Sequence, residues 1–227
     1  MADPELCFQP ANRPDLRTLH GRFVRLEKLN TTLHGDALWT ILQGPDADPT
    51  LWEYLPFGPY PQRKDFDAWL QLRATGMDLW GYCIVDQITD QVNGMISFIS
   101  IVPEHGRLEY GSVIFGPAMQ RSPKGTEAVY LLAKEAFELG NRRLEWKCNR
   151  ENVRSKRVAE RCGFRFEGLF RQHMVVRGRN RDSLYFSMTD REWPSRRKAF
   201  EAWLAVENFD ASGRQIKTLE DLRNGDL

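Results

Sequence analysis

The stretch Gln120-Arg121-Ser122-Pro123-Lys124-Gly125-Thr126-Glu127-Ala128 decides how this chain is read. It joins an alternating segment, residues 108–115, to residues 126–139, where Ala128, Leu131, Leu132, Ala136 and Leu139 recur at helical spacing. Beyond that helix, residues 143–148 alternate again, with Leu144, Trp146 and Cys148 on one side. A strand, a crossover helix and a second strand predict a parallel pair. A helix start offers backbone N–H groups without internal partners and the positive end of a dipole, so residues 120–125 predict a site for a phosphorylated ligand. Arg121 and Lys124 add charge, Ser122 and Thr126 add hydroxyls, and Gly125 allows close backbone approach. A plain basic connection between strand and helix is the competing reading of this loop alone.

Upstream, residues 1–20 are rich in Pro, Asn and Asp and read as an extended arm, and residues 22–26 alternate as a first strand. Short helices are predicted over 35–42 and 64–74. Between them lies an aromatic loop with Trp52, Tyr54, Phe57 and Tyr60, which either covers the core or shapes a ligand pocket. Strands over 79–85 and 95–101, joined by a turn ending in Asn93-Gly94, lead as a meander into 108–115. Downstream, Asn152 is placed to cap a helix reaching Arg161, Gly163 to end it, and Phe164-Arg165-Phe166 to resume a strand. Residues 177–182 read as a hairpin turn between strands over 174–176 and 184–187. A last helix over 195–206 precedes a polar, partly disordered tail. The predicted organisation is an arm (1–20), one domain (21–206) and the tail (207–227).

The 227 residues are 41% hydrophobic and carry a net charge of only +1, yet residues 142–198 hold 17 Lys/Arg against 7 Asp/Glu. Such a basic segment wants a polyanion, either nucleic acid or a phosphorylated cofactor. No apolar run reaches a membrane span, and the opening residues lack a secretory signal, so a cytoplasmic protein with no membrane partner is expected. Cys7, Cys83, Cys148 and Cys162 show no metal-site or disulfide spacing and are expected as buried, reduced thiols.

The second motif, Asn152-x-x-Ser155 followed by Gly163-Phe164, gives the first its meaning. Together with Gln120-x-x-Pro123-x-Gly125 and Thr126-Glu127-Ala128, it resembles the GCN5-related N-acetyltransferase (GNAT) superfamily, and within it the ribosomal-protein-alanine N-acetyltransferase branch. The resemblance runs from about Gly21 to Met188. Two positions depart from it: Pro123 stands where a first glycine is usual, and Ala159 stands where many relatives carry a tyrosine acid.

The resemblance implies an α/β (α+β) fold, with a twisted, mainly antiparallel sheet, one central parallel pair and helices on both faces. It also implies acetyl-coenzyme A as co-substrate, no metal, and direct transfer to a primary amine on a small molecule or peptide. Cofactor binding falls to Gln120, Arg121, Ser122, Lys124, Gly125, Thr126, Asn152 and Arg157, with a backbone N–H near Ile114 or Phe115 polarising the thioester carbonyl. Of Arg150, Arg154, Lys156 and Arg157, one or two are expected at the cofactor's 3′-phosphate. Ser155 is the expected acid. Glu109 is the expected base or ammonium ligand, with His105 and His173 as alternative bases and Cys148 as a rival nucleophile. A homodimer is compatible with the family. Two other readings stay open: a nucleic-acid or ribosome-binding protein using residues 142–198, though no recognition signature accompanies the charge, and a non-catalytic coenzyme A sensor.

Overall fold

Period-two patterning builds one eight-stranded sheet in the computed structural model, which describes residues 7–76 and 79–225. In chain order the strands are β1 (Leu19–His20), β2 (Val24–Lys28), β3 (Leu79–Asp86), β4 (Val92–Val102), β5 (Arg107–Phe115), β6 (Arg143–Asn149), β7 (Arg165–Val176) and β8 (Arg179–Thr189). They lie in the order β1-β2-β3-β4-β5-β6-β8-β7, and every pairing is antiparallel except β5 with β6. The crossover between those two is helix α3, Pro123–Glu138.

Alternation divides the apolar side chains between two cores. Tyr82, Ile84, Ile96, Phe98, Leu108, Tyr110, Leu144 and Trp146 face α3 and α5 (Trp193–Leu204). Cys83, Val85 and Met95 point the other way, to α1 (Thr31–Gln43) and α2 (Arg63–Thr75). The helices therefore cover both faces, as expected. Helix α1 starts earlier than its apolar spacing suggests, because Asn30 caps it by accepting from the N–H groups of Thr32 and Leu33.

The parallel pairing is short. Arg107, Leu108 and Glu109 register with Arg143, Leu144 and Glu145, and there the ladder ends. On its other side β5 pairs Gly111 with Ser97 but Ile114 with Met95, so it carries one extra residue; Ser112 absorbs it at φ 47°. This bulge turns Ile114 into the α1/α2 core and parts β5 from β6. Each backbone bond given up at the split forgoes about 1 kcal/mol net. Tyr110 packs there against both Trp146 and Phe164, ring centroids 5.4 and 5.8 Å apart, contacts of about 1 kcal/mol each that offset the loss.

Two expectations change. The hairpin turn is only Arg177-Gly178, both at positive φ (50° and 72°), and residues 179–182 belong to β8. The segment after α5 is folded rather than loose. Asn208 donates to the carbonyls of Trp203 and Lys217, Phe209 bridges to Gln215, and α6 (Leu219–Asn224) buries Leu219 and Leu222. The arm is also tied down where it is described: Ala11 is buried and the Arg17 guanidinium lies 2.6 Å from the Glu135 carboxylate. Among the cysteines, Cys83, Cys148 and Cys162 are buried free thiols as expected, whereas Cys7 is exposed.

Candidate active site

Where β5 and β6 part, a cavity of about 900 Å³ opens on the α3 side of the sheet. Its wall brings together ten of the expected residues: Ile114, Phe115, Gln120, Arg121, Ser122, Gly125, Thr126, Asn152, Ser155 and Arg157. Motifs about thirty residues apart meet because α3 and α4 (Val153–Arg161) follow the two diverging strands. Helix α3 begins at Pro123, three residues before the apolar spacing suggests. Proline at the first helical position forfeits only an N–H that the helix would leave unpaired, and its fixed φ suits the start. No side chain caps this end, so the amides of Lys124 and Gly125 are left for a ligand. Arg121, at φ 53°, takes the turn into the helix. A Cβ on Gly125 would stand 3.3 Å from the Phe115 ring, so glycine lets α3 close down on the end of β5.

Asn152 accepts from the Ser155 N–H at 3.0 Å and caps α4. The Ser155 hydroxyl is placed by the indole N–H of Trp146, which donates to it at 3.0 Å. Its own proton can go to the Cys148 sulfur, with which it is bonded, or to a ligand in the cavity. Arg161, at the far end of α4, donates to Thr126 at 2.7 Å and lies over the Trp203 ring at 4.8 Å. Five arginines line the cavity, namely Arg121, Arg154, Arg157, Arg161 and Arg214, and among the described residues no carboxylate does. Of the basic residues flanking the second motif, Arg154 and Arg157 enter, while Arg150 pairs with Asp182 and Lys156 with Glu160.

Lys124 is a correction. Its ammonium lies 2.6 Å from Asp86, away from the cavity wall. Burial works against the charged Asp86, but the bond from Lys124 and the N–H groups of Thr89 and Ile88 hold its carboxyl well below the usual carboxylate range. Glu109 also lies elsewhere: strand alternation sends it to the opposite face from Tyr110. There it lines a second cavity of about 400 Å³ with Glu145, Lys147, Phe170 and Tyr185. Burial raises the Glu109 carboxyl, and Lys147, 3.1 Å away, pulls it partly back. Since Glu109 is in the last parallel pair, the second cavity flanks the same split from the other side.

His173 stands near that face, 3.0 Å from the Ser183 hydroxyl and 3.4 Å from that of Tyr185, whereas His105 is exposed at the β4–β5 turn. Cys148 lines neither cavity; burial pushes its thiol up, partly offset by its bond with Ser155. The aromatic loop packs as core: Trp52 is buried, donates to the Leu42 carbonyl, and meets Phe57, Tyr60 and Trp69 edge-on. Arg177, at the β7–β8 turn, donates to the carbonyls of Trp52, Leu55, Phe57 and Gly58.

Residues 24–165 match the family model described as the acetyltransferase (GNAT) domain. The chain belongs to the GNAT acetyltransferases. A solved GCN5-related N-acetyltransferase from Brucella melitensis is 43% identical, covering 96% of this chain and 99% of its own, with a TM-score of 0.92. An uncharacterized N-acetyltransferase of Bacillus subtilis, YnaD, is 26% identical over 68% of this chain and 89% of its own length. A Salmonella typhimurium acetyltransferase described as modifying the N-terminal serine of ribosomal protein L7/L12 shares the fold at 20% identity, over 76% of this chain and 99% of its own, with a TM-score of 0.66. The family-model match ends just after Phe164, so the cavity wall formed by Trp203, Phe209, Arg214 and Gln215 comes from outside that match. Sequence reading missed these four: Phe209, Arg214 and Gln215 sit in a stretch whose polarity resembles that of a loose tail, and Trp203 falls in the predicted last helix, where an aromatic reads as core.

Proposed function

We propose that this GNAT protein transfers the acetyl group of acetyl-coenzyme A directly to a primary amine. The observation that carries the reading is the cavity at the split, with five arginines, the uncapped start of α3 and no carboxylate among the described lining residues. That lining suits a ligand with several phosphate groups, which coenzyme A is. The thioester supplies the activated acyl group. Ile114 turns its carbonyl to Gly94 and Gly116 donates to Asn93, so alternation leaves the Phe115 N–H on the side of the split, able to hold the thioester oxygen. Ser155 gives its proton to the departing thiolate, kept in line by Trp146. From the opposite cavity, Glu109 accepts a proton from the incoming ammonium, making the neutral amine that attacks.

The small opposite cavity also holds an amine's surroundings: Phe170 and Tyr185 stacked at 4.2 Å, beside the carboxylates of Glu109 and Glu145. A peptide amine, as in the Salmonella relative, and a small-molecule amine both fit this chemistry. The basic segment gives less support to a nucleic-acid role, because Arg143, Lys147, Arg150, Lys156, Arg165 and Arg197 pair with carboxylates while Arg154, Arg157 and Arg161 enter the cavity. The test is a thermal shift with acetyl-coenzyme A followed by thioester consumption across a panel of amines. A stabilising shift and amine-dependent thiol release are expected; no shift would end the reading, and a shift without transfer to any amine would leave a sensor.

A further inference from the structure

We infer that residues 206–217, beyond the stretch matched by the family model, form the end wall of the cofactor site and hold the 3′-phosphorylated adenosine of coenzyme A, with Arg214 facing its 3′-phosphate. This rests on the coenzyme A reading of the cavity.

The cavity has a direction. Asn152 and Ser155 stand at the start of α4, by the split, and Arg161 at its end, nine residues or roughly 13 Å along. The thioester belongs at the split, where the strand amides open. The diphosphate belongs at the start of α3, which touches the end of α4 through Thr126 and Arg161. What remains of the ligand is its 3′-phosphorylated adenosine. Arg154 and Arg157 lie on α4 nearer the split, whereas Arg161 lies over the Trp203 ring, and there the wall is made by Trp203, Phe209, Gly213, Arg214 and Gln215. These offer two aromatic surfaces, an amide and a guanidinium, which suit a base and a phosphate.

The wall is built, not draped. Asp210 accepts from the N–H groups of Ser212 and Arg214, and Gly213 turns at φ 76°. Gln215 accepts from the Trp203 indole at 2.8 Å, and Phe209 meets Trp203 edge-on at 5.4 Å. Arg214 itself is exposed, and its one carboxylate contact among the described residues, Asp210 at 3.1 Å, uses Nε and leaves the rest of the fork.

The experiment is calorimetric titration of the full chain and its Arg214→Gln variant with coenzyme A and with 3′-dephospho-coenzyme A. The wild type is expected to bind coenzyme A about tenfold more tightly than the dephospho form, and Arg214→Gln to erase most of that difference while binding the dephospho form as before. Equal binding of the two ligands by the wild type, or a variant that weakens both alike or neither, overturns the inference and leaves the coenzyme A reading intact. Binding of neither ligand by the wild type overturns both. As a measurement without substitution, coenzyme A should slow amide exchange across residues 209–215; unchanged exchange there, with protection at residues 124–126, would also reject the wall.

Discussion

Ser155 is held from two sides, by the Asn152 side-chain oxygen on its amide and the Trp146 indole on its hydroxyl. With its oxygen fixed by Trp146, the hydroxyl has its proton for the Cys148 sulfur or for a leaving thiolate in the cavity. Ser155→Ala is therefore expected to lower kcat by about a hundredfold with little change in cofactor affinity, checked by steady-state kinetics beside calorimetry. Unchanged kcat would remove Ser155 from the acid's role. Glu109 gives a prediction in pH. Burial raises its carboxyl, so the base form is lost on acidification at a higher pH than for an ordinary carboxylate. The kcat/KM profile should fall on its acid side through that raised value, and Glu109→Gln should be slow with the limb absent; a variant that keeps the limb would point to another base. Residue types and spacing made Asn152, Ser155 and the loop legible in advance. The partner of Lys124 was not, because Asp86 reaches it from a different hairpin, 38 positions away in sequence.

Helix α4 is short and strongly charged, so its existence depends on its ends. Asn152 caps the start, and Gly163 follows the end at φ 87°, a conformation that costs other residues energy. Asn152→Ala should cost about 1 kcal/mol in chemical denaturation and weaken coenzyme A binding, since Asn152 itself lines the cavity. A variant as stable and as tight as the wild type would show that the cap is incidental. Such caps are local and can be read from a sequence, as was the crossover from β5 through α3 to β6. The bulge at Ser112 could not be read, because it exists only as a mismatch with β4. The aromatic loop was legible as a feature and ambiguous in role; its packing on Trp69 joins it to the next helix, and its clamp by Arg177 comes from over 100 residues away.

Across the whole molecule, the Glu127 carboxylate joins the front of the chain to its middle by accepting from the amides of Arg22, Phe23 and Val24 at 2.6–2.8 Å. A Cβ on Gly21 would collide with that carboxylate, so glycine is required beside it. Glu127→Ala would leave three donors unpaired, that of Val24 buried and those of Arg22 and Phe23 part-buried, and is expected to cost about 2 kcal/mol, read as a lowered denaturation midpoint, while Glu127→Gln, which keeps one acceptor, should lose less. Equal midpoints for wild type and Glu127→Ala would show that water replaces the carboxylate. Within Thr126-Glu127-Ala128, Thr126 thus faces the cavity while Glu127 ties the chain together, a division that sequence alone does not make. The acceptor for Arg22 lies 105 residues downstream. During vectorial synthesis at about 5–20 residues per second, the amides leading into β2 must wait roughly 5–20 s for it to emerge, so the first part of the chain made is among the last to be locked in place.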